Sequence, residues 1–281
     1  MENRIAIVTP LKDEKSNIEL LIRSIKQQDQ KIFVWVIVEN GSKDGSAELL
    51  AKIDHIDNVE HFIVLNYALP NDTYELGVKY ATVVNQGFEY LRKADFFNTL
   101  DFIGILDADC FPGPTYYQEL TAYMNKNKDI GISSGLAYNL NGKYDGKSRD
   151  WVRGNCRLWK KACFDEAGYI VGPSADALSV SKAEIKGWRC EPLKELGYSC
   201  REVGEKVNYQ YYGYSAYFRG ITPLFAFLKS LNYLFILKPK NFSGYFKGYF
   251  GAYFSRKKRI KDPEIRRYFS NYLVKKMGFQ K

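Results

Sequence analysis

Over its first 136 residues the chain alternates short, strongly apolar runs with longer segments whose apolar residues recur at helical spacing. Residues 5–9, 32–38, 62–65, 101–106 and 130–136 read as strands, rich in Ile, Val and Phe. Between them, residues 16–28, 76–92 and the stretch from Pro112-Gly-Pro114 to about Asn125 read as helices. Gly41-Ser-Lys-Asp-Gly45 is turn chemistry, with Asp44 or Ser46 placed to cap the next helix. Strands that alternate with helices predict a mainly parallel α/β sheet that binds ligands at its carboxyl ends. Further on, the spacing predicts short helices over 157–165 and 174–186, and a long polar loop over 139–152.

At 281 residues the chain has room for one large domain or a domain with an appendage. No repeat of solenoid or propeller period is present. Two histidines, His55 and His61, argue against a multi-histidine metal site. The five cysteines form no C-x-x-C pair, which points to reduced thiols. The N-terminus shows no signal-peptide pattern and no stretch of 18 uninterrupted apolar residues occurs. The expected location is therefore cytoplasmic.

Three polar segments follow predicted strands. The sharpest is Ile103-Gly-Ile-Leu-Asp107-Ala-Asp109, which delivers two carboxylates to the exposed end of a buried strand. In extended geometry positions i and i+2 face the same side, and two such carboxylates repel unless a cation lies near them. A hard divalent ion that also holds diphosphate oxygens suits this pair. Read by itself, the same pair also fits a solvated turn or helix cap. The second segment is Glu39-Asn-Gly-Ser-Lys-Asp-Gly-Ser46, whose first acid can accept from a nucleobase imide or a ribose hydroxyl. The third is Thr9-Pro10-Leu-Lys-Asp13-Glu14. Neither a Walker A sequence nor a Gly-rich dinucleotide fingerprint is present, so bound phosphates fall to metal and side chains.

In this order and spacing, the segments resemble the family 2 glycosyltransferases of the GT-A fold. The likeness also takes in Lys79 and Asn85 in GVKYATVVNQGFEYL. It continues through Arg153-Gly-Asn-Cys-Arg-Leu-Trp-Lys160, and through Asp176 opening a segment that ends in Gly187-Trp188. It covers residues 3–215. It implies a three-layer α/β/α sandwich with a mainly parallel sheet, followed by a C-terminal helical tail. It also implies an inverting transfer of a sugar from a nucleotide-diphosphate donor to an acceptor hydroxyl, in polysaccharide or glycolipid synthesis. By the resemblance, Asp109 holds Mn²⁺ or Mg²⁺. Asp107 contacts ribose or a metal-bound water, and Thr9, Pro10, Glu14, Glu39 and Lys79 line the nucleotide pocket. Asp176 is the general base. Glu39 and Asn40 stand where the family has acids, and Ala175 replaces the first acid of its usual Glu-Asp pair. If the register shifts, Glu166 or Glu184 becomes the candidate base. Three alternatives stay open: Asp176 as a helix N-cap, Lys79 as a solvated charge, and the whole chain as a non-catalytic nucleotide-sugar binder or scaffold.

Charge divides the molecule. Residues 216–281 hold 15 Lys/Arg and two acids, a net +13, which leaves −4 for residues 1–215. The same tail carries 17 Phe/Tyr. This shift marks a boundary between a catalytic domain, 1–215, and a basic, aromatic tail, 216–281, of two or three helices broken at Pro239 and Pro263. Interleaved aromatics and basic residues suit an anionic membrane surface, and so a peripheral position on the cytoplasmic face. The acceptor is then a saccharide or a lipid-linked one. No nucleic-acid-binding module is recognisable, and nucleic acid is not expected as a partner.

Overall fold

The structure is a computed structural model that describes residues 2–69, 77–146, 149–201, 208–235 and 239–271. The strands are β1 (Ile5–Leu11), β2 (Ile32–Glu39), β3 (Val59–Asn66), β4 (Phe102–Leu106), β5 (Cys110–Pro112), β6 (Ile130–Ser134), β7 (Leu136–Asn139), β8 (Cys156–Lys160), β9 (Arg189–Cys190) and β10 (Gly197–Cys200). The helices are α1 (Lys15–Lys26), α2 (Ser46–Leu50), α3 (Val78–Lys93), α4 (Tyr116–Lys126), α5 (Lys161–Ala167), α6 (Ala175–Ile185), α7 (Tyr209–Arg219), α8 (Pro223–Phe235), α9 (Pro239–Phe254) and α10 (Pro263–Ser270).

The main sheet has seven strands in the order β3-β2-β1-β4-β8-β6-β9. β3, β2, β1 and β4 pair in parallel, β8 runs antiparallel to both β4 and β6, and β9 is parallel to β6. Strand side chains alternate between faces, and the core divides accordingly. Ile5, Ile7, Trp35 and Ile37 pack with Ile18, Leu21 and Leu120 on one side. Ala6, Val8, Val34 and Val36 pack with Val84, Phe88 and Phe164 on the other. All eight residues of β2 are buried. Fully burying one large aliphatic side chain stabilises by about 1.5–3 kcal/mol, so these strands anchor the sandwich.

Two elements differ from the sequence expectation. The helix expected over 157–165 begins instead as strand β8, and only residues 161–167 are helical. β8 lies between β4 and β6, so backbone partners on both sides outweigh local helical spacing. The strand expected over 130–136 breaks at Gly135 into β6 and β7. There the chain leaves the main sheet for a small one of order β5-β10-β7, whose β5 begins directly after Asp109.

The composition boundary at 215/216 falls inside α7. Helices α7 to α10 form a third core with Ala177 and Leu178 of α6, including Tyr217, Tyr245, Tyr249, Ile265 and Phe269. Glycines let α7 and α9 meet backbone to backbone. A Cβ on Gly213 would stand 2.1 Å from the Tyr245 carbonyl oxygen, and one on Gly248 would stand 2.0 Å from that of Gln210. Lys182 of α6 pairs with Asp262 and Glu264 at the start of α10, at 2.8 and 2.7 Å.

Candidate active site at the strand ends

The parallel register carries the three polar segments to one edge of the sheet. Pro10 pairs with Val38 and Leu11 with Glu39, while Val8 pairs with Ile105 just before the acidic pair. The two loops after β1 and β2 then lock together. The Asp44 carboxylate accepts from the Lys15 N–H at 2.9 Å and from the Ser46 N–H at 2.9 Å, tying the first turns of α1 and α2. The Ser46 hydroxyl bond and that of the Lys15 amide hold Asp44 below the usual carboxylate range. Asp13 accepts from the Lys43 N–H at 2.7 Å.

Asp107 is the most perturbed carboxyl of the site. Burial pushes it well above the usual range, and the nearby Asp109 and Asp176 charges push the same way. The Tyr80 hydroxyl opposes them by donating to Asp107 Oδ1 at 2.5 Å, and Arg157 adds a favourable charge. The Tyr80 phenol is in turn raised well above its ordinary value, first by burial and then by Asp107. The Asp107 N–H is held by the Asn155 carbonyl at 2.8 Å. Asp109 is partly exposed and stands 3.3 Å from Arg201.

Asp176 occupies the second position of α6. The cap position belongs to Ser174, whose backbone is left-handed at φ +61° and makes no side-chain cap bond. The N-cap reading of Asp176 is therefore corrected. Instead its Oδ1 pairs with Arg157 at 3.2 Å, where the Arg157 side chain is fully buried and the Asp176 side chain 43% exposed. Arg157 also lies 4.3 Å from the centre of the Trp159 ring. Gly154 makes room for the acid, since a Cβ there would stand 2.1 Å from Asp176 Oδ2. The charge of Asp176 is felt by both Asp107 and Tyr80, so the acids lie near one another at the strand ends.

The remaining sequence-selected residues are placed unequally. Glu14 accepts from Asn17 at 2.5 Å and from Arg201. Glu39 is buried and spends one bond of each oxygen on its own turn, accepting from the Gly41 and Ser42 amides at 3.0 and 2.5 Å. Each carboxylate oxygen keeps a further lone pair. Thr9 is fully buried and accepts from the Trp35 indole at 2.9 Å, so its side chain faces the core rather than the cleft. Pro10 is half-buried at the strand end, and Lys79 is half-buried in the first turn of α3, one residue before Tyr80. Glu166 binds the Trp188 indole at 2.8 Å and Glu184 binds the Tyr268 hydroxyl, so both alternative bases are engaged elsewhere. Cys110 is a buried thiol, as a small apolar filler would be.

Sequence reasoning missed Tyr80 and Arg201 and left Arg157 undecided. Tyr80 lies one residue from the expected Lys79, and nothing in its spacing separates it from the many other tyrosines. Tyr169 also enters the site unannounced. Its hydroxyl is buried without a hydrogen-bond partner among the described residues, and burial and the Asp176 charge raise its ionisation well above normal.

The acids lie at the carboxyl ends of the parallel strands, where open α/β sheets bind their ligands. The chain matches the family Glycosyl transferase family 2 over residues 6–175, and it belongs to that family. Among solved structures it is similar to the mannosyltransferase PcManGT from Pyrobaculum calidifontis, in complex with GDP-Man and Mn²⁺. That match has TM-score 0.57 and 15% identity, and covers 100% of this chain and 89% of that one. It is also similar to S. aureus TarS 1–349 in complex with UDP, with TM-score 0.56 and 13% identity, covering 82% of this chain and 66% of that one. Against S. aureus TarS itself the TM-score is 0.55 at 14% identity over 82% of this chain, which spans only 40% of that protein. A search of curated proteins gives no match. At these identities the structural likeness establishes the GT-A fold.

Proposed function

We propose that the protein transfers a sugar from a nucleotide-diphosphate donor to an acceptor hydroxyl by single displacement with inversion. The observation that carries this reading is the convergence of Asp107, Asp109 and Asp176 on one cleft in a chain of this family. Glu14, Glu39, Pro10 and Lys79 edge the space for the nucleotide, while Thr9 supports the end of β1 from beneath. Asp107 and Asp109, two residues apart at the end of a strand, offer hard oxygen ligands of the kind a divalent ion takes. These residues fit Mn²⁺ or Mg²⁺, with Asp109 as the principal ligand. Among the described residues no three His, Cys, Asp or Glu side chains cluster to hold an ion by themselves, so donor phosphates would complete the shell. When bound, the ion would offset charge on the leaving diphosphate.

Asp176 takes the proton of the acceptor hydroxyl. Its half-exposed carboxylate can be reached from solvent, while buried Arg157 fixes its orientation. Tyr80 holds the Asp107 carboxylate in place.

The acceptor is read as a saccharide or lipid-linked hydroxyl presented at an anionic membrane surface, on the cytoplasmic face. Helix α8 supports this, because it is built inside out. Its small residues Ala226 and Ser230 are buried, while Leu224, Phe227, Leu228, Leu234 and Phe235 are exposed. Lys240 and Lys247 of α9 and Arg256, Lys257 and Lys258 after it are exposed and add positive charge to this part of the surface. No helix among the described residues is long and apolar enough to cross a membrane, so contact would be along the surface.

The deciding experiment is a thermal-shift panel of nucleoside diphosphates with and without Mn²⁺. Native-state binding raises the melting temperature by mass action. A rise that requires Mn²⁺ and is lost in Asp109→Asn is expected. Equal shifts with EDTA and with Mn²⁺ would sink the metal assignment, and no shift with any nucleotide would sink the donor site. Donor binding without transfer to any acceptor would instead favour a non-catalytic binder.

A further inference from the structure

Arg201 is placed by backbone register. Cys200 pairs with Cys110 across the antiparallel β5–β10 ladder, so Arg201, one residue after Cys200, lies opposite Asp109, one residue before Cys110, and its N–H donates to the Asp109 carbonyl at 3.0 Å. From there the guanidinium donates to both oxygens of Glu14, at 2.8 and 3.2 Å, and stands 3.3 Å from Asp109 Oδ2. Glu14 belongs to the loop after β1 and Asp109 to the end of β4, which are adjacent strands. One cation therefore bridges the two acids. Its own side chain is 51% exposed, against 14% for Glu14 and 28% for Asp109, so it covers them from the solvent side.

We propose that Arg201 is the resident counter-cation of the donor site. It neutralises Asp109 in the absence of donor, competes with a free divalent ion for that carboxylate, and passes to the donor diphosphate when nucleotide and metal arrive together. The inference rests on the donor-site reading above. A divalent ion at Asp109 repels a guanidinium held 3.3 Å from the same carboxylate, so the arginine must give way. The planar fork that grips Glu14 with two bonds is equally matched to phosphate oxygens. A metal held by Asp109 would supply the attraction for diphosphate oxygens, which would give the displaced fork a new anionic partner. Donor and metal binding are thereby coupled, and metal alone is held weakly.

The test uses the full chain and two titrations. Free Mn²⁺ is followed by electron paramagnetic resonance without nucleotide. UDP and GDP are titrated by calorimetry in the presence of Mn²⁺. In Arg201→Gln, affinity for Mn²⁺ alone should tighten about threefold, the scale of an exposed ion pair. In the same variant, affinity for the Mn²⁺-loaded diphosphate should weaken about tenfold or more, the scale of a lost charged hydrogen bond. Arg201→Lys keeps the charge but not the fork, so it should leave the first number near wild type and lower the second. Unchanged values in Arg201→Gln overturn the proposal. A parallel loss of both overturns it too, since Arg201 would then only hold Glu14 and Asp109 in place. Wild-type protein that binds neither nucleotide with Mn²⁺ fails the donor-site reading itself, a result distinct from either.

Discussion

The strand-end cleft and the C-terminal helices solve opposite packing problems. In the sheet half, large apolar side chains fill both faces of the sheet, and among the described residues Glu39, Arg153 and Arg157 are the charged side chains that are buried. Burial and the neighbouring Asp109 and Asp176 charges raise the Asp107 ionisation there well above the usual range. In the helical half, Gly213 and Gly248 let α7 and α9 touch, Tyr217, Tyr245, Tyr249 and Phe269 fill the core, and several other large aromatics and leucines face outward. Positive charge there lacks acids to match it: residues 216–281 carry +13. The two regions thus differ in the sign of their charge, −4 over residues 1–215 against +13, and in whether large apolar side chains are covered.

The largest expected effect falls on Asp176. In Asp176→Asn the transfer rate should drop about 10²–10⁴-fold, the usual contribution of a general base. Donor affinity should stay near wild type, and the amide oxygen can still accept from Arg157, so calorimetry and melting curves should change little. If the variant melts far lower yet keeps its activity per folded molecule, Asp176 serves only to neutralise Arg157.

Whether the two halves are separable is read from Gly213→Ala. The added methyl meets the Tyr245 carbonyl oxygen at 2.1 Å and must push α7 from α9, costing about 1–3 kcal/mol as overpacking does. A single cooperative transition at lower temperature is expected, because the third core includes α6. Two separated transitions would show the helices to be an independent unit. For the same reason, removal of residues 221–281 would strip Tyr245, Tyr249 and Phe269 from that core, and point changes are the sounder probe of the membrane face.

Phe227→Asp on α8 should weaken binding to vesicles containing anionic lipid by about tenfold, since one apolar side chain of this size is worth about 1.5–3 kcal/mol on burial. Phe227 is exposed, so stability should hold. Binding that survives this change but vanishes in high salt would leave only the basic residues as the contact.

The smallest effect is on stability. The Asp107 ionisation is raised in the folded state, so the native protein binds the proton more tightly than the unfolded chain does. Stability then falls as pH rises from the unfolded value of 3.8 through the higher folded one, and the full cost is present above it. Asp107→Asn removes that cost. Its melting temperature without metal should exceed wild type at neutral pH and converge with it in acid, while nucleotide binding with Mn²⁺ weakens. A variant less stable at neutral pH would mean that the Tyr80 bond outweighs the repulsion.

The sequence by itself determined the alternating core strands, the acid pair after β4, the turn after β2 and the basic, aromatic C-terminal region. Each is a local pattern: period two or 3.6 in hydrophobicity, turn residues at fixed offsets, or a run of like charges. Local patterns survive folding when the sheet's own register carries them to one edge, as it carries Glu14, Glu39 and Asp107. Tertiary structure alone decided the rest. Residues 156–160 became a strand because β4 and β6 offered partners on both sides. Tyr80 met Asp107 across 27 residues, and Arg201 met Glu14 across 187. Arg157 turned toward Asp176 because Gly154 left space for the carboxylate. Thr9 went to the core because the Trp35 indole needed an acceptor there. Such pairings join residues far apart in the chain and obey no spacing. They follow from which buried polar group needs which partner once the sheet has formed, a need that exists only after water has been excluded.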